Sequence, residues 1–92
     1  MLRHHHASQP DPVHWLAASQ AGYCEATDPN PHTPCWPPRG KGSWTLNDSD
    51  AATWRSATTA CLRRCADCRP CRFISVSLIH RDCSWFDLDH CK

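Results

Sequence analysis

The alternation of polar and apolar positions in the second half of the chain predicts a helix followed by a hairpin. Within residues 50–66 a set of positions recurs at helical spacing and therefore shares one face; it consists of Trp54, Ala57, Thr58, Cys61, Leu62 and Cys65. The preceding run ends in Asp48-Ser49-Asp50, any of which can cap a helix, and its acidic groups suit a helix N-terminus. We therefore expect one amphipathic helix over about residues 50–66.

Residues 71–86 change to the period of two that is typical of strands. The first strand divides its side chains between two faces, with Cys71, Phe73, Ser75 and Ser77 on one and Arg72, Ile74, Val76 and Leu78 on the other. A turn at His80-Arg81-Asp82 leads to a second short strand, in which Cys83 and Trp85 point the same way. We expect this hairpin to lie over the helix, with cysteine and aromatic side chains between them.

Residues 1–46 are expected to form an irregular, proline-rich arm. Five prolines lie between residues 28 and 42, and they exclude both a helix interior and a central strand there. A short helix is expected over residues 12–21, with Asp11 as its cap, a proline at its first position and Gly22 ending it. Residues 47–92 then form the cysteine-rich helix-hairpin module.

Composition indicates how such a chain folds and excludes several classes of protein. Only 12 of the 92 residues are Leu, Ile, Val or Phe, whereas eight are Cys and five are Trp. Disulfides are expected to replace the missing apolar core, giving a small disulfide-rich α+β fold. Three glycines exclude a glycine-rich phosphate loop, and a net charge of +1 is not typical of a nucleic-acid binder. No apolar run reaches the length of a membrane span.

The cysteines form an even set, as a closed disulfide framework requires: Cys24, Cys35, Cys61, Cys65, Cys68, Cys71, Cys83 and Cys91. Eight cysteines allow 105 pairings, so the sequence alone does not fix the connectivity. Cys61 and Cys65 lie one turn apart on one helix face and reach more naturally toward strands than toward each other. The pairs Cys61–Cys83 and Cys65–Cys71 are reasonable, because each joins the helix to the hairpin.

The other four cysteines are expected to fasten the arm to the module. Cys91 returns to either Cys24 or Cys35, and Cys68 takes the other, so two pairings stay open. Each bridge contributes about 2–4 kcal/mol, largely by restricting the unfolded chain. That contribution is comparable with the whole stability of a small domain.

Three segments resemble the PAN/apple module: Ala60-Cys61-Leu62-Arg63-Arg64-Cys65, Cys71-Arg72-Phe73-Ile74-Ser75-Val76 and Cys83-Ser84-Trp85. In that family a helix carries C-x-x-x-C, a strand carries C-x-x-[FY] or a near variant, and a later strand carries C-x-[LW]. The resemblance covers about residues 50–91 and implies the nested bridges Cys61–Cys83 and Cys65–Cys71. It also implies an extracellular module that binds proteins or carbohydrates without catalytic residues. The extra Cys68 and the proline-rich arm depart from the family pattern.

Zinc is the alternative use of the thiols. Two overlapping C-x-x-C units can supply tetrahedral ligands from Cys61, Cys65, Cys68 and Cys71, completed by His80, Cys83, His90 or Cys91. That alternative would make the chain a zinc-stabilised intracellular interaction module. Two cysteines of the arm would remain unexplained, so we prefer disulfides and assign no metal and no cofactor. The run His4-His5-His6 is left outside the fold, as a chance run, a tag remnant or a weak metal site.

Three further residues are candidates for surface roles. Trp36 lies in the arm and Trp44 follows Gly40-Lys41-Gly42, where a flexible loop could display an aromatic ring to a partner. Asn47 begins the sequon Asn47-Asp48-Ser49, a candidate N-glycosylation site. Arg55, Arg63 and Arg64 point mostly away from the apolar face of the helix, and the excess of basic residues after residue 53 is interpreted as a solvated face.

These observations predict a non-catalytic secreted or lumenal module that binds a protein or glycan surface or forms a structural link to one. Acid–base residues such as His80 and Asp82 lack a nucleophile at a defined turn, so no enzyme is expected. No secretory signal is recognised near the start of the chain. A small toxin or defence peptide is a third possibility, although such peptides usually carry more positive charge than +1.

Overall fold

The computed structural model describes residues 2–7, 11–25, 35, 40–87 and 91. The elements in chain order are β1 (Leu2–His6), α1 (Pro12–Ala18), β2 (Gln20–Ala21), β3 (Lys41–Thr45), α2 (Trp54–Ala66), β4 (Phe73–Ser77) and β5 (Asp82–Phe86). A single 3₁₀ turn, Asp50–Ala52, precedes α2. Two helices, one sheet and four disulfides confirm the small disulfide-rich α+β fold.

The sheet has five antiparallel strands in the order β2-β1-β4-β5-β3. The expected hairpin of β4 and β5 is present at its centre, and strands from residues 1–46 pair with both of its edges. The expectation of an irregular arm is therefore wrong for β1 and β3. The run His4-His5-His6, which is not expected to be part of the fold, pairs with β4 from Ser75 to Phe73. These histidines carry no local strand signal, and the open edge of β4 imposes their conformation.

The first helix begins where the sequence predicts and ends earlier. The side chain of Asp11 accepts a hydrogen bond from the backbone N–H of Val13 at 2.8 Å, as an N-cap does. The helix ends at Ala18 instead of residue 21, because Gln20 and Ala21 pair with β1 as a short strand. A tertiary pairing has here replaced the last helical turn.

The cap of the second helix is Thr53, not Asp48, Ser49 or Asp50. The Thr53 hydroxyl accepts from the backbone N–H of Ser56 at 3.0 Å, and the Ser56 hydroxyl accepts in return from the backbone N–H of Thr53 at 3.1 Å. This reciprocal capping box satisfies two orphan donors at the helix start. The residues expected to begin the helix form the separate 3₁₀ turn instead.

The core lies between the helices and one face of the sheet. The strands contribute Ile74, Val76, Cys83 and Trp85 to it, as the alternation predicts, and α2 contributes Ala57, Cys61 and Leu62. Trp15 on α1 is fully buried, and its indole N–H donates to the carbonyl of His5 at 3.2 Å. Aromatic rings and sulfur atoms thus supply much of the volume that aliphatic side chains supply in most domains.

Trp44 belongs to this core and not to a displayed loop. It lies on β3 opposite Cys83, is only 8% exposed, and stacks on Trp85 with ring centroids 6.4 Å apart. The residues before it form part of the strand, because the edge of β5 pairs with them. The expectation that a flexible loop displays Trp44 is therefore wrong.

The outer face of the sheet, opposite the helices, carries the paired Phe73 and Phe86 at one end and buried serines at its centre. Ser75, Ser84 and Ser43 are aligned across three neighbouring strands, and each is at most 3% exposed. The chain turns toward this face at Gly22, whose φ of +113° suits glycine. Residues 23–25 then contact the sheet through a Tyr23–Ser77 hydrogen bond and a Glu25–Lys41 ion pair of 3.1 Å.

Replacing Trp44 by alanine should destabilise the protein strongly, because the change opens a cavity beside Trp85. We expect a loss of about 3–5 kcal/mol in the free energy of unfolding, measured by denaturant titration. The matched control is Ile79→Ala at a side chain that is 73% exposed, where the change should stay within about 0.5 kcal/mol. Equal effects of the two substitutions would contradict the placement of Trp44 in the core.

Candidate interaction surface

Two disulfides join α2 to the hairpin. Cys61 on α2 is bonded to Cys83 on β5, and Cys65 on α2 is bonded to Cys71 just before β4. Both pairs match those expected from the sequence. Cys61 and Cys83 are fully buried in the core, so this bridge sets the distance between helix and sheet from inside.

The other two disulfides decide the alternative that the sequence left open. Cys24 is bonded to Cys91 across 67 residues, and Cys35 is bonded to Cys68 across 33 residues. Cys24 follows β2, so its bridge fastens the segment that covers the outer face of the sheet. All eight cysteines are oxidised, and none is free.

The proposed zinc ligands do not form a metal site in this arrangement. Cys61, Cys65, Cys68 and Cys71 belong to three different disulfides, and a disulfide sulfur is not the thiolate that zinc requires. Among the described residues, one group has metal-like spacing: ligand atoms of His4, Cys24 and Cys91 lie within 4.8 Å of one another. Two of its three members are bonded to each other, so this group also lacks thiolates.

Asp82 and Tyr23 form the one pair of described side chains with shifted acidity. Burial raises the pKa of Asp82 above the ordinary 3.8, and the nearby His80 opposes this shift. Burial first, and then the charge of Asp82, raise the pKa of Tyr23, against the effect of its hydrogen bond to Ser77. One carboxylate oxygen of Asp82 is buried without a hydrogen-bond partner among the described residues. The two raised pKa values show that covering the outer face of the sheet buries these side chains at a local cost in free energy.

The face of α2 opposite the core carries the most distinctive exposed chemistry of the described chain. An open groove of about 590 Å³ lies along this face; its lining consists of Asp50, Thr53, Arg55, Ser56, Thr59, Ala60, Arg63 and Arg64. With 3.6 residues per turn, Arg63 lies near the middle of the groove, while Arg55 and Arg64 lie at its two sides. We call these three residues and the groove between them the arginine surface.

The guanidinium groups of the arginine surface belong to exposed residues. No carboxylate of the described residues forms an ion pair with Arg55, Arg63 or Arg64, whereas Arg72 pairs with Asp87 and Arg81 pairs with Asp48. Arg63 and Arg64 lie in the last turn of α2, where positive charge also suits the helix dipole. The helix dipole accounts only for arginines in the last turn, so it does not explain Arg55 near the start of α2.

The remaining predicted site residues have different outcomes. Asn47 is exposed in the loop between β3 and the 3₁₀ turn, so its glycosylation stays a prediction. Trp36 lies outside the described residues. Sequence analysis located the arginines on the outer side of the helix but interpreted them only as a solvated face. The sequence does not show whether these arginines have carboxylate partners, because ion pairing depends on tertiary structure.

Comparison with family models, curated proteins and solved structures finds no match to this chain. In the part of the chain that the structure describes, neither helix has the length and apolar character needed to cross a membrane. The case for a function therefore depends on the chemistry of the chain itself.

Removing the long-range bridge should cost more stability than removing the local one. Loop-closure entropy gives about 4 kcal/mol for the Cys24–Cys91 loop and about 2 kcal/mol for the Cys65–Cys71 loop. We expect paired Cys→Ala variants to show this order in denaturant titrations monitored by tryptophan fluorescence. The reverse order would show that native packing around the sulfurs outweighs restriction of the unfolded chain.

Replacing Asp82 by asparagine should stabilise the protein at neutral pH. The raised pKa of Asp82 means that folding favours the protonated carboxyl, so its unfavourable contribution appears as the pH rises above about 3.8. The advantage of Asp82→Asn should shrink when the pH falls below that value, as measured by denaturant titrations across the acidic range. Asp87→Asn, at an exposed carboxylate, is the control. A variant that is less stable than the parent at neutral pH would show that the Asp82 charge is stabilising.

Proposed function

We propose that this protein is a non-catalytic, disulfide-stabilised binding module that acts in an extracellular or lumenal compartment. Four disulfides support that location, because such bridges persist in oxidising environments. The oxidised state of Cys83 and Cys91 speaks against a thiol nucleophile paired with histidine. The helix-to-hairpin bridges and the sequence resemblance together favour a divergent PAN/apple-like module.

The contact surface that we propose is the arginine surface, and its partner is a sulfated glycan. The observation that carries this proposal is the set of three exposed guanidinium groups without carboxylate partners among the described residues. A guanidinium presents several N–H donors in a planar fork that matches the oxygens of an oxyanion. The groove is long and open, which suits an extended chain better than a compact ligand.

The lining of the groove favours a glycan over a protein partner. Stable protein interfaces usually contain aromatic or large aliphatic anchors at their centre. Apart from the arginines and Asp50, this groove is lined by small and hydroxylated side chains: Thr53, Ser56, Thr59 and Ala60. The large apolar side chains that the described residues expose, Val13, Tyr23 and Ile79, are not part of its lining.

Heparin affinity tests this proposal with a pair of charge-matched variants. Arg63→Gln combined with Arg64→Gln should weaken heparin binding about tenfold or more at low salt, since each charged contact contributes about 1 kcal/mol or more. The control is Arg72→Gln combined with Arg81→Gln, which removes the same charge from arginines already paired with carboxylates. Titration calorimetry and the salt concentration of elution provide the readouts.

Two outcomes would contradict the glycan assignment. If the two double variants lose heparin affinity equally, heparin binding depends on net charge alone. The same conclusion follows if the protein elutes from heparin at the same salt concentration as from a sulfonate cation exchanger. Tighter binding to polyglutamate than to heparin would assign the surface to an acidic polypeptide. Circular dichroism should be unchanged in all variants, because the substituted side chains are exposed.

A further inference from the structure

We infer that Asn47 is a site of N-linked glycosylation, with the glycan attached to its side-chain nitrogen. The inference rests on the proposed passage through a secretory compartment and adds a covalent modification to it. Asn47, Asp48 and Ser49 are all exposed. They lie between the end of β3 at Thr45 and the 3₁₀ turn that begins at Asp50. A transferring enzyme can reach an exposed loop of this kind more readily than a paired strand.

The two ends of the Asn47 amide have different roles in the structure. Its Oδ1 accepts hydrogen bonds from the Ser49 hydroxyl at 3.1 Å and from the backbone N–H of Asp50 at 2.8 Å. Its Nδ2 has no hydrogen-bond partner among the described residues. The oxygen therefore holds the turn while the nitrogen stays available, so a sugar on Nδ2 leaves both hydrogen bonds in place.

The transfer is a substitution at the anomeric carbon of the donor sugar. The donor is a polyisoprenyl diphosphate-linked oligosaccharide. A bond forms between Nδ2 and the anomeric carbon, the bond from that carbon to the diphosphate oxygen breaks, and the amide proton passes to a base of the enzyme. The lipid diphosphate is the leaving group, and no oxidant or reductant is needed.

The protein itself holds the loop of Asn47 in place, whether or not a glycan is attached. Leu46, directly before Asn47, is buried in the core, and its backbone N–H donates to the carbonyl of Arg81 at 2.8 Å. Asp48 pairs with the Arg81 side chain at 2.5 Å. The chain contains one other asparagine, Asn30, and the following Pro31-His32 does not form a sequon with it. The sequence therefore offers a single acceptor and an internal control.

The test is secretion of the full chain from a eukaryotic host behind a heterologous signal sequence. We expect an intact mass above that of the polypeptide, which peptide N-glycosidase removes while leaving aspartate at position 47 in the peptide map. Asn47→Asp and Ser49→Ala should abolish the added mass, whereas Ser49→Thr and Asn30→Gln should keep it. Asn47→Asp retains an oxygen acceptor for the Asp50 N–H, so that variant is expected to fold.

Two results separate the failure of this inference from failure of the proposed function. A secreted chain that has lost eight hydrogens to four disulfides but carries no glycan would overturn the glycosylation and leave the secretory proposal standing. A chain recovered from the lumen with free thiols would contradict the secretory proposal itself. Added mass that survives Ser49→Ala would assign the modification to another residue and also overturn the inference.

Discussion

The fold depends first on the bond between Cys61 and Cys83. It connects the inward face of α2 to a central strand, and both residues are fully buried. Neither element is stable alone, since a helix of 13 residues is marginal in water and so is an isolated hairpin. The bond holds the two together at a fixed spacing. Trp15, Trp44 and Trp85 can then fill the space with large rings in a chain that has few aliphatic side chains.

The second constraint is that the sheet must be covered on both faces with this limited supply of apolar residues. Its inner face takes the aliphatic side chains and the tryptophans, so its outer face is left with serines, Asp82 and the paired Phe73 and Phe86. Residues 22–25 and the Cys24–Cys91 bond cover that outer face with polar contacts. The raised pKa of Asp82 is one price of such a cover. The exposed side of α2 does not cover the sheet, and it carries the arginine surface.

Local sequence signals identified part of this structure, and tertiary pairing decided the rest. The helix face and the hairpin alternation predicted α2, β4 and β5, because those patterns express burial directly. The cap at Asp11 was predicted from one favourable side chain. The strand at Leu2–His6 could not be predicted, because its conformation comes from the edge of β4. Trp44 was misplaced for the same reason, since two neighbouring glycines suggested a loop where β5 imposes a strand.

The positions of the candidate surface residues could be predicted from the sequence, but their role could not. Helical spacing located Arg55, Arg63 and Arg64 away from the core, and the sequon located Asn47. Whether a charge has a partner depends on residues far apart in the chain, as the pairing of Arg81 with Asp48 illustrates. The open choice between Cys24 and Cys35 was of the same kind, because no local rule relates either residue to Cys91.

The position of β1 in the sheet sets an order of events in time. Leu2 pairs with Ser77, so although the short strand β2 can pair early with one edge of β1, the edge of β1 that faces β4 has no partner until the residues up to β4 have been synthesised. At about 5–20 residues per second, that delay lasts on the order of ten seconds. An apolar strand left unpaired for so long would invite aggregation. The arginine and three histidines of β1 are polar, so the strand can stay solvated during this delay. The same polarity removes the apolar alternation by which a strand is predicted from sequence.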